Sequence, residues 1–64
     1  MIPVTRLNGA EIYVNCDQIV TMEDTPDTLL IFNNGERMLV KEQIADVLRR
    51  IVAFKRRLNM SGVE

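Results

Sequence analysis

The chain has no histidine and no tryptophan, one cysteine (Cys16), two prolines, three glycines and three aromatic residues, Tyr13, Phe32 and Phe54. Each shortage removes a class of function. A single thiol cannot form an internal disulfide, and without histidine a Cys/His zinc site or a His-based nucleophilic pair is excluded. The lone cysteine fits a reducing, cytoplasmic compartment, and it reads as a small, partly buried side chain beside a turn. No apolar run approaches the roughly 18 residues of a membrane span. The opening MIPVTRLNGAEIYVN lacks the long apolar core behind a basic segment that marks a signal peptide. P-loop and G-x-G-x-x-G patterns are absent. Glu23, Asp24 and Asp27 crowd around Pro26 without the residue order of a calcium loop, so they read as a solvated turn. The expectation is a protein with no enzymatic activity and no cofactor.

What is present is small and electrically two-ended. At 64 residues the chain is a single domain, and domains of this size bury only about 60% of the surface that the unfolded chain exposes. The net charge is −1, but residues 1–48 carry Arg6, Arg37 and Lys41 against eight acids, whereas residues 49–57 carry Arg49, Arg50, Lys55, Arg56 and Arg57 against none.

Periodicity divides the chain in two. The first two-thirds alternate at period two, as strands do. "IPVTRL" and "EIYV" flank Asn8-Gly9, a dipeptide suited to the paired positive-φ positions of a type I′ hairpin turn. Asn15 to Gln18 reads as a short turn, "IVTME" as a third strand, and Thr25-Pro26-Asp27 as a turn with Pro26 presetting φ. "TLLIF" and "RMLV" follow, joined by Asn33-Asn34-Gly35. The pattern N-G-x-x-x-x-V occurs at 8–14 and again at 34–40, which two similar hairpins explain. From Glu42 the period changes. Ile44, Val47, Leu48, Ile51, Phe54 and Leu58 recur at steps of three and four, the spacing of one buried helical stripe. Lys55 projects into that stripe, so the helix is expected to leave its sheet by that turn. The predicted fold is α+β: an antiparallel sheet of about five strands with two Asn-Gly hairpins, and one C-terminal amphipathic helix packed on a face. The domain is expected to span 1–58, with a frayed tail at 59–64.

One helix can cover only one face of a sheet, yet "TLLIF" is apolar on both. Tyr13, Val20 and Leu39 are expected to join Leu30 and Phe32 on the face that the helix leaves bare. Exposed apolar patches of this kind mark interfaces, and at about 25 cal/mol per Å² the forfeited burial would rival the stability of a small domain. The preferred reading is therefore self-association as a homo-oligomer through Tyr13, Leu30, Phe32 and Leu39; the alternative is a sheet curled into a small barrel. Arg49, Arg50, Arg56 and Arg57 form two rows on the helix. They read either as a solvated face with an Asp46–Arg50 pair, or as a docking surface for an acidic protein, anionic lipid or nucleic acid.

The series "TRLNG" (5–9), "VNCDQI" (14–19), "TPDTLLIFNNG" (25–35) and "VKEQI" (40–44), followed by a basic helix ending "KRR", resembles the small flagellar proteins of the FlbD family, called SwrD in swarming bacteria. The resemblance runs over residues 1 to about 58. It implies a cytoplasmic accessory of flagellar motility, linked to swarming and motor power, without enzymatic activity or cofactor, and with a flagellar motor or assembly protein as partner at the flagellar base. Asn8, Gly9, Asn15, Pro26, Asp27, Thr28, Asn34 and Gly35 carry over as motif residues, most of them turn-makers that hold the strands. A second resemblance, confined to "MIPVTRLNG" and the strands-then-helix order, is to the CsrA family of small RNA-binding regulators. RNA readers carry a more basic surface or stacking aromatics, and here the strand region is acidic. Nucleic-acid binding therefore ranks second, and the expected function is a motility adaptor.

Overall fold

Ile2 and Val4 alternate with Pro3 and Thr5, and in the computed structural model this period-two pattern becomes the first strand. The structure describes the backbone of residues 1–63 and the side chains of residues 1–58. The elements are β1 (Ile2–Thr5), β2 (Glu11–Val14), a 3₁₀ turn (Cys16–Gln18), β3 (Ile19–Asp24), β4 (Thr28–Phe32), β5 (Arg37–Val40) and α1 (Ile44–Val63). All strand pairings are antiparallel, so the fold is α+β as the periodicity predicts. The expected frayed tail of residues 59–64 lies outside the residues whose side chains are described.

The strands form two small sheets, β1-β2 and β3-β4-β5, rather than the single sheet predicted. The outer edge of β1 supplies the reason. Pro3 has no N–H to offer a neighbouring strand, and its carbonyl instead accepts from Arg50 Nη1 at 2.8 Å. Thr5 N donates to Glu42 Oε1 at 2.9 Å, while the Thr5 carbonyl accepts from Lys41 N at 2.8 Å. The Lys41 backbone and the Glu42 side chain at the β5–α1 junction, with Arg50 from α1, thus occupy the ladder positions that β5 would have filled. One isolated bridge, Arg6 to Val40, joins the sheets at a corner.

Both Asn-Gly turns adopt one geometry, and at Asn8-Gly9 it is not the expected type I′. Gly9 and Gly35 have φ of 94° and 88°, and among the described residues no other residue type has positive φ. Gly9 N donates to Arg6 O at 2.8 Å and Gly35 N to Phe32 O at 2.9 Å; Arg6 N and Phe32 N then donate to Ala10 O and Glu36 O. This is the longer hairpin loop in which a tight turn is followed by a left-handed glycine. Asn8 Oδ1 accepts from Ala10 N at 3.0 Å and Asn34 Oδ1 from Glu36 N at 2.9 Å, so asparagine fixes the turn and glycine the chirality. A Cβ at either glycine would meet nothing within 4 Å. Gly35→Ala is therefore expected to cost about 1–2 kcal/mol through backbone strain alone, visible as a lower urea midpoint with an unchanged slope.

The loop geometry decides which side chains face inward. A two-residue loop on Asn34-Gly35 would set Leu30 opposite Leu39; the longer loop sets Leu29 opposite Leu39 and Leu30 opposite Met38. A one-residue slip exchanges the two faces of a strand. Leu30 then shares its face with Val40, and this is the buried face: both are fully buried with Ile2, Val4 and Val47, Val14 and Cys16 are nearly so, and Phe32 packs half-buried against them. Leu30 and Phe32 are core residues, and the predicted bare face loses both. Leu29, Ile31 and Leu39 point away from the core instead. An irregularity in β3 between Ile19 and Thr21 turns Val20 outward, where it is exposed.

On α1, Val47 is buried and Ile44, Ile51 and Phe54 are half-buried, but Leu48 and Leu58 are exposed. Leu48 sits at the margin of the predicted stripe. Leu58 lies beyond the sheets: a helix of 20 residues is about 30 Å long, and the molecule measures 41 × 23 × 19 Å. The anomalous Lys55 is exposed, and its Nζ meets Asp17 Oδ1 at 2.9 Å, tying the helix to the 3₁₀ turn whose cap is Asn15.

Candidate interaction surfaces

The basic helix segment divides into structural and free cations. Arg50 is structural. Besides Pro3 O, it reaches Glu42 Oε2 at 3.1 Å and Asp46 Oδ2 at 3.6 Å. Glu42, whose side chain is almost buried, also accepts from Thr5 Oγ1 at 2.7 Å. Burial pushes the Glu42 carboxyl up, but the Thr5 N–H, the Thr5 hydroxyl and the Arg50 guanidinium together hold it below the usual glutamate value. Nothing local in the sequence announces this node, because Thr5 and Glu42 stand 37 residues apart.

Arg49 bonds Asp46 at 3.0 Å with most of its own side chain in water, an arrangement worth only tenths of a kcal/mol. Lys55 and Asp17 shift each other as an exposed pair does: their hydrogen bond lowers the Asp17 carboxyl and raises the Lys55 amine. Arg56 and Arg57 are exposed and make no ion pair among the described residues. Of the four predicted docking arginines, Arg56 and Arg57 are free, Arg49 is weakly held and Arg50 is committed to the fold.

The predicted self-association residues separate in the same way. Leu30 and Phe32 face the core. Tyr13 is 71% exposed but lies on the outward side of β1-β2, opposite Pro3. There it lines an open notch of about 300 Å³ with Met1, Phe54 and Arg57. Leu39 stands on the other sheet, beside Leu29 and Ile31. These three, with Glu23, Thr21 and Arg37 as cross-strand neighbours, make an outward sheet face on which Leu39 is 41% exposed and Leu29 and Ile31 are half-buried. Asn8, Gly9, Asn34 and Gly35 sit in the hairpin turns. Pro26 and Asp27 sit in the β3–β4 turn, closed by Thr25 Oγ1 on Asp27 O at 2.8 Å. Among the described residues no group of three or more Cys, Asp or Glu is placed to hold a metal ion.

A third surface escaped the sequence reading. The outward side of α1 carries Ala45, Leu48, Val52 and Ala53 between Arg49 and Arg56 in one shallow groove of about 610 Å³. Leu48 is 46% and Val52 50% exposed. The signal was available, since Leu48 and Val52 are four apart and Val52 projects opposite Phe54.

These features define a class: a small α+β domain whose distinctive parts are open surfaces, one cationic and apolar on the helix, one apolar on a sheet. The chain belongs to the FlbD family of flagellar and swarming motility proteins, whose model matches residues 1–59. No curated protein and no solved structure matches it. No helix among the described residues is long and apolar enough to cross a membrane.

Proposed function

We propose that this chain is a non-enzymatic cytoplasmic accessory of bacterial flagellar motility, an oligomeric adaptor that supports motor power during swarming. Copies join through the outward sheet face of Leu29, Ile31 and Leu39, and the free end of α1 docks a flagellar motor or assembly protein. The observation that carries this reading is the separation of the two surfaces. Arg56 and Arg57, unpaired among the described residues, project from the helix, while the partly exposed apolar patch lies on the sheet, so one copy can engage a like copy and a different partner at once. Family membership supplies the flagellar setting.

Charge reversal tests the docking part. Arg56→Glu with Arg57→Glu is expected to leave folding intact, because both side chains are exposed and such substitutions usually stay within about 0.5 kcal/mol. Cells carrying it should lose swarming and slow under viscous load while keeping normal filament numbers and normal protein levels. Normal swarming at normal protein level would remove the docking surface. Fewer filaments would move the function upstream, to assembly or gene expression. In the same preparations the unaltered protein is expected to sediment above monomer mass at micromolar concentration; a compact monomer would remove the oligomer.

A further inference from the structure

We infer that the outward groove of α1 is the seat of an acidic amphipathic helix belonging to a partner protein. This rests on the docking reading above and gives it an occupant. The apolar floor is Leu48 and Val52 with Ala45 and Ala53, and the groove spans residues 45–56, about 17 Å of helix. Three helical turns are enough to meet the i, i+3, i+4 and i+7 anchors of a second helix. Arg49 and Arg56 stand in the same groove, and Arg57 follows one position beyond. Asp46, the one acid among the described residues of the helix, is already shared between Arg49 and Arg50. A helix with apolar residues at steps of three and four, flanked by Glu or Asp, matches both features. Its apolar stripe fills the floor and its acids meet the arginines.

Three other occupants fit less well. A second copy laid antiparallel along the groove would set Arg49 and Arg56 against the same arginines, with no free acid among the described helix residues to answer them. A lipid surface needs a broad apolar face, and the broad face of this helix, Val47, Ile51 and Phe54, is packed against the sheets. Nucleic acid gains nothing from a floor of Leu48 and Val52, and the groove offers no aromatic residue for a base to stack on.

The test uses the full chain and a labelled synthetic helix of about five turns, with leucine at i, i+3, i+4 and i+7 and glutamate on both flanks; a lysine-flanked version is the control. Fluorescence anisotropy is expected to show the glutamate helix binding, with affinity falling as salt rises, and the lysine helix not binding. Leu48→Ser with Val52→Ser, and separately Arg49→Gln with Arg56→Gln, should each weaken it at least about tenfold. Circular dichroism should confirm that each variant is folded. Equal binding of both helices, no response to either pair of substitutions, or tighter Leu48- and Val52-dependent binding to anionic vesicles or single-stranded RNA would overturn the assignment. So would a photo-crosslinker at position 52 that couples, in cells, to another copy of this chain. Swarming separates the two levels. If Leu48→Ser/Val52→Ser cells swarm normally while Arg56→Glu/Arg57→Glu cells do not, docking stands and this occupant is wrong; if both swarm normally, both readings fall.

Discussion

Replacing Leu30 with alanine is expected to cost about 3–5 kcal/mol, enough to leave much of the population unfolded at 25 °C. Leu30 is fully buried in the central strand β4, between Met22 on one side and Met38 on the other. Truncating it removes the transfer energy of the lost methyls and leaves a cavity that two strands cannot close without breaking register. A chain of 64 residues has a net stability of roughly 3–10 kcal/mol, so one core leucine is a large share of it. The informative comparison is Leu39→Ala, in the neighbouring strand but on the outward face, expected to cost about 1 kcal/mol or less in the monomer. Urea unfolding followed by far-ultraviolet circular dichroism reads both. Equal losses would mean that the hairpin register places both leucines alike, and the two-residue turn would have to be reinstated.

The second large effect belongs to Glu42. Glu42→Ala strands the Thr5 N–H and hydroxyl at the corner of the two sheets and removes the anion facing Arg50. Leaving such groups without partners costs about 2–4 kcal/mol, or roughly 15–30 °C in Tm for a domain of this size. The carboxyl also gives the effect a pH signature. Its folded-state pKa is depressed, so its contribution is fully present above the ordinary glutamate value of about 4.3. It is lost as pH falls through the lower folded value. The unaltered protein should therefore lose stability over that acid range, and Glu42→Gln should lose less there while being weaker at neutral pH. Asp17 is depressed in the same direction by Lys55, so Asp17→Asn is the control that isolates Glu42. Parallel pH profiles for the unaltered protein and Glu42→Gln would remove Glu42 from this role.

Much of the fold was legible because it is local. Period-two alternation gave the strands, the asparagines and glycines gave the turns, and steps of three and four gave the helix. Turn chemistry left a one-residue ambiguity. Asn-Gly serves either a two-residue loop or a longer one, and only the hydrogen bonds at Gly9 and Gly35 decide between them. That residue moved Leu39 away from Leu30 and transferred the bare face to Leu29 and Ile31. The split into two sheets was half visible in Pro3, but the groups that complete it, Glu42 and Arg50, reach β1 from 37 and 47 residues away. The candidate surfaces follow the same rule. Charge segregation was plain in the sequence, whereas which arginine is free depended on those distant contacts. Leu48 illustrates the limit of a stripe: spacing places it beside the buried residues, and only the position of the sheets shows that it points to solvent.

The corner between the sheets also governs how quickly this chain can fold. Every strand pairs with its neighbour in sequence, so each hairpin closes a short loop at small entropic cost and can form on its own within microseconds. The contacts of β1 with Lys41, Glu42 and Arg50 are different, for they must bring together parts of the chain that all the hairpins separate. Topologies rich in local contacts fold fast, and here the contacts left after the hairpins are those that join β1 and the 3₁₀ turn to Glu42, Arg50 and Lys55. Until Thr5 meets Glu42 and α1 closes over Ile2 and Val4, part of the apolar strand surface stays uncovered.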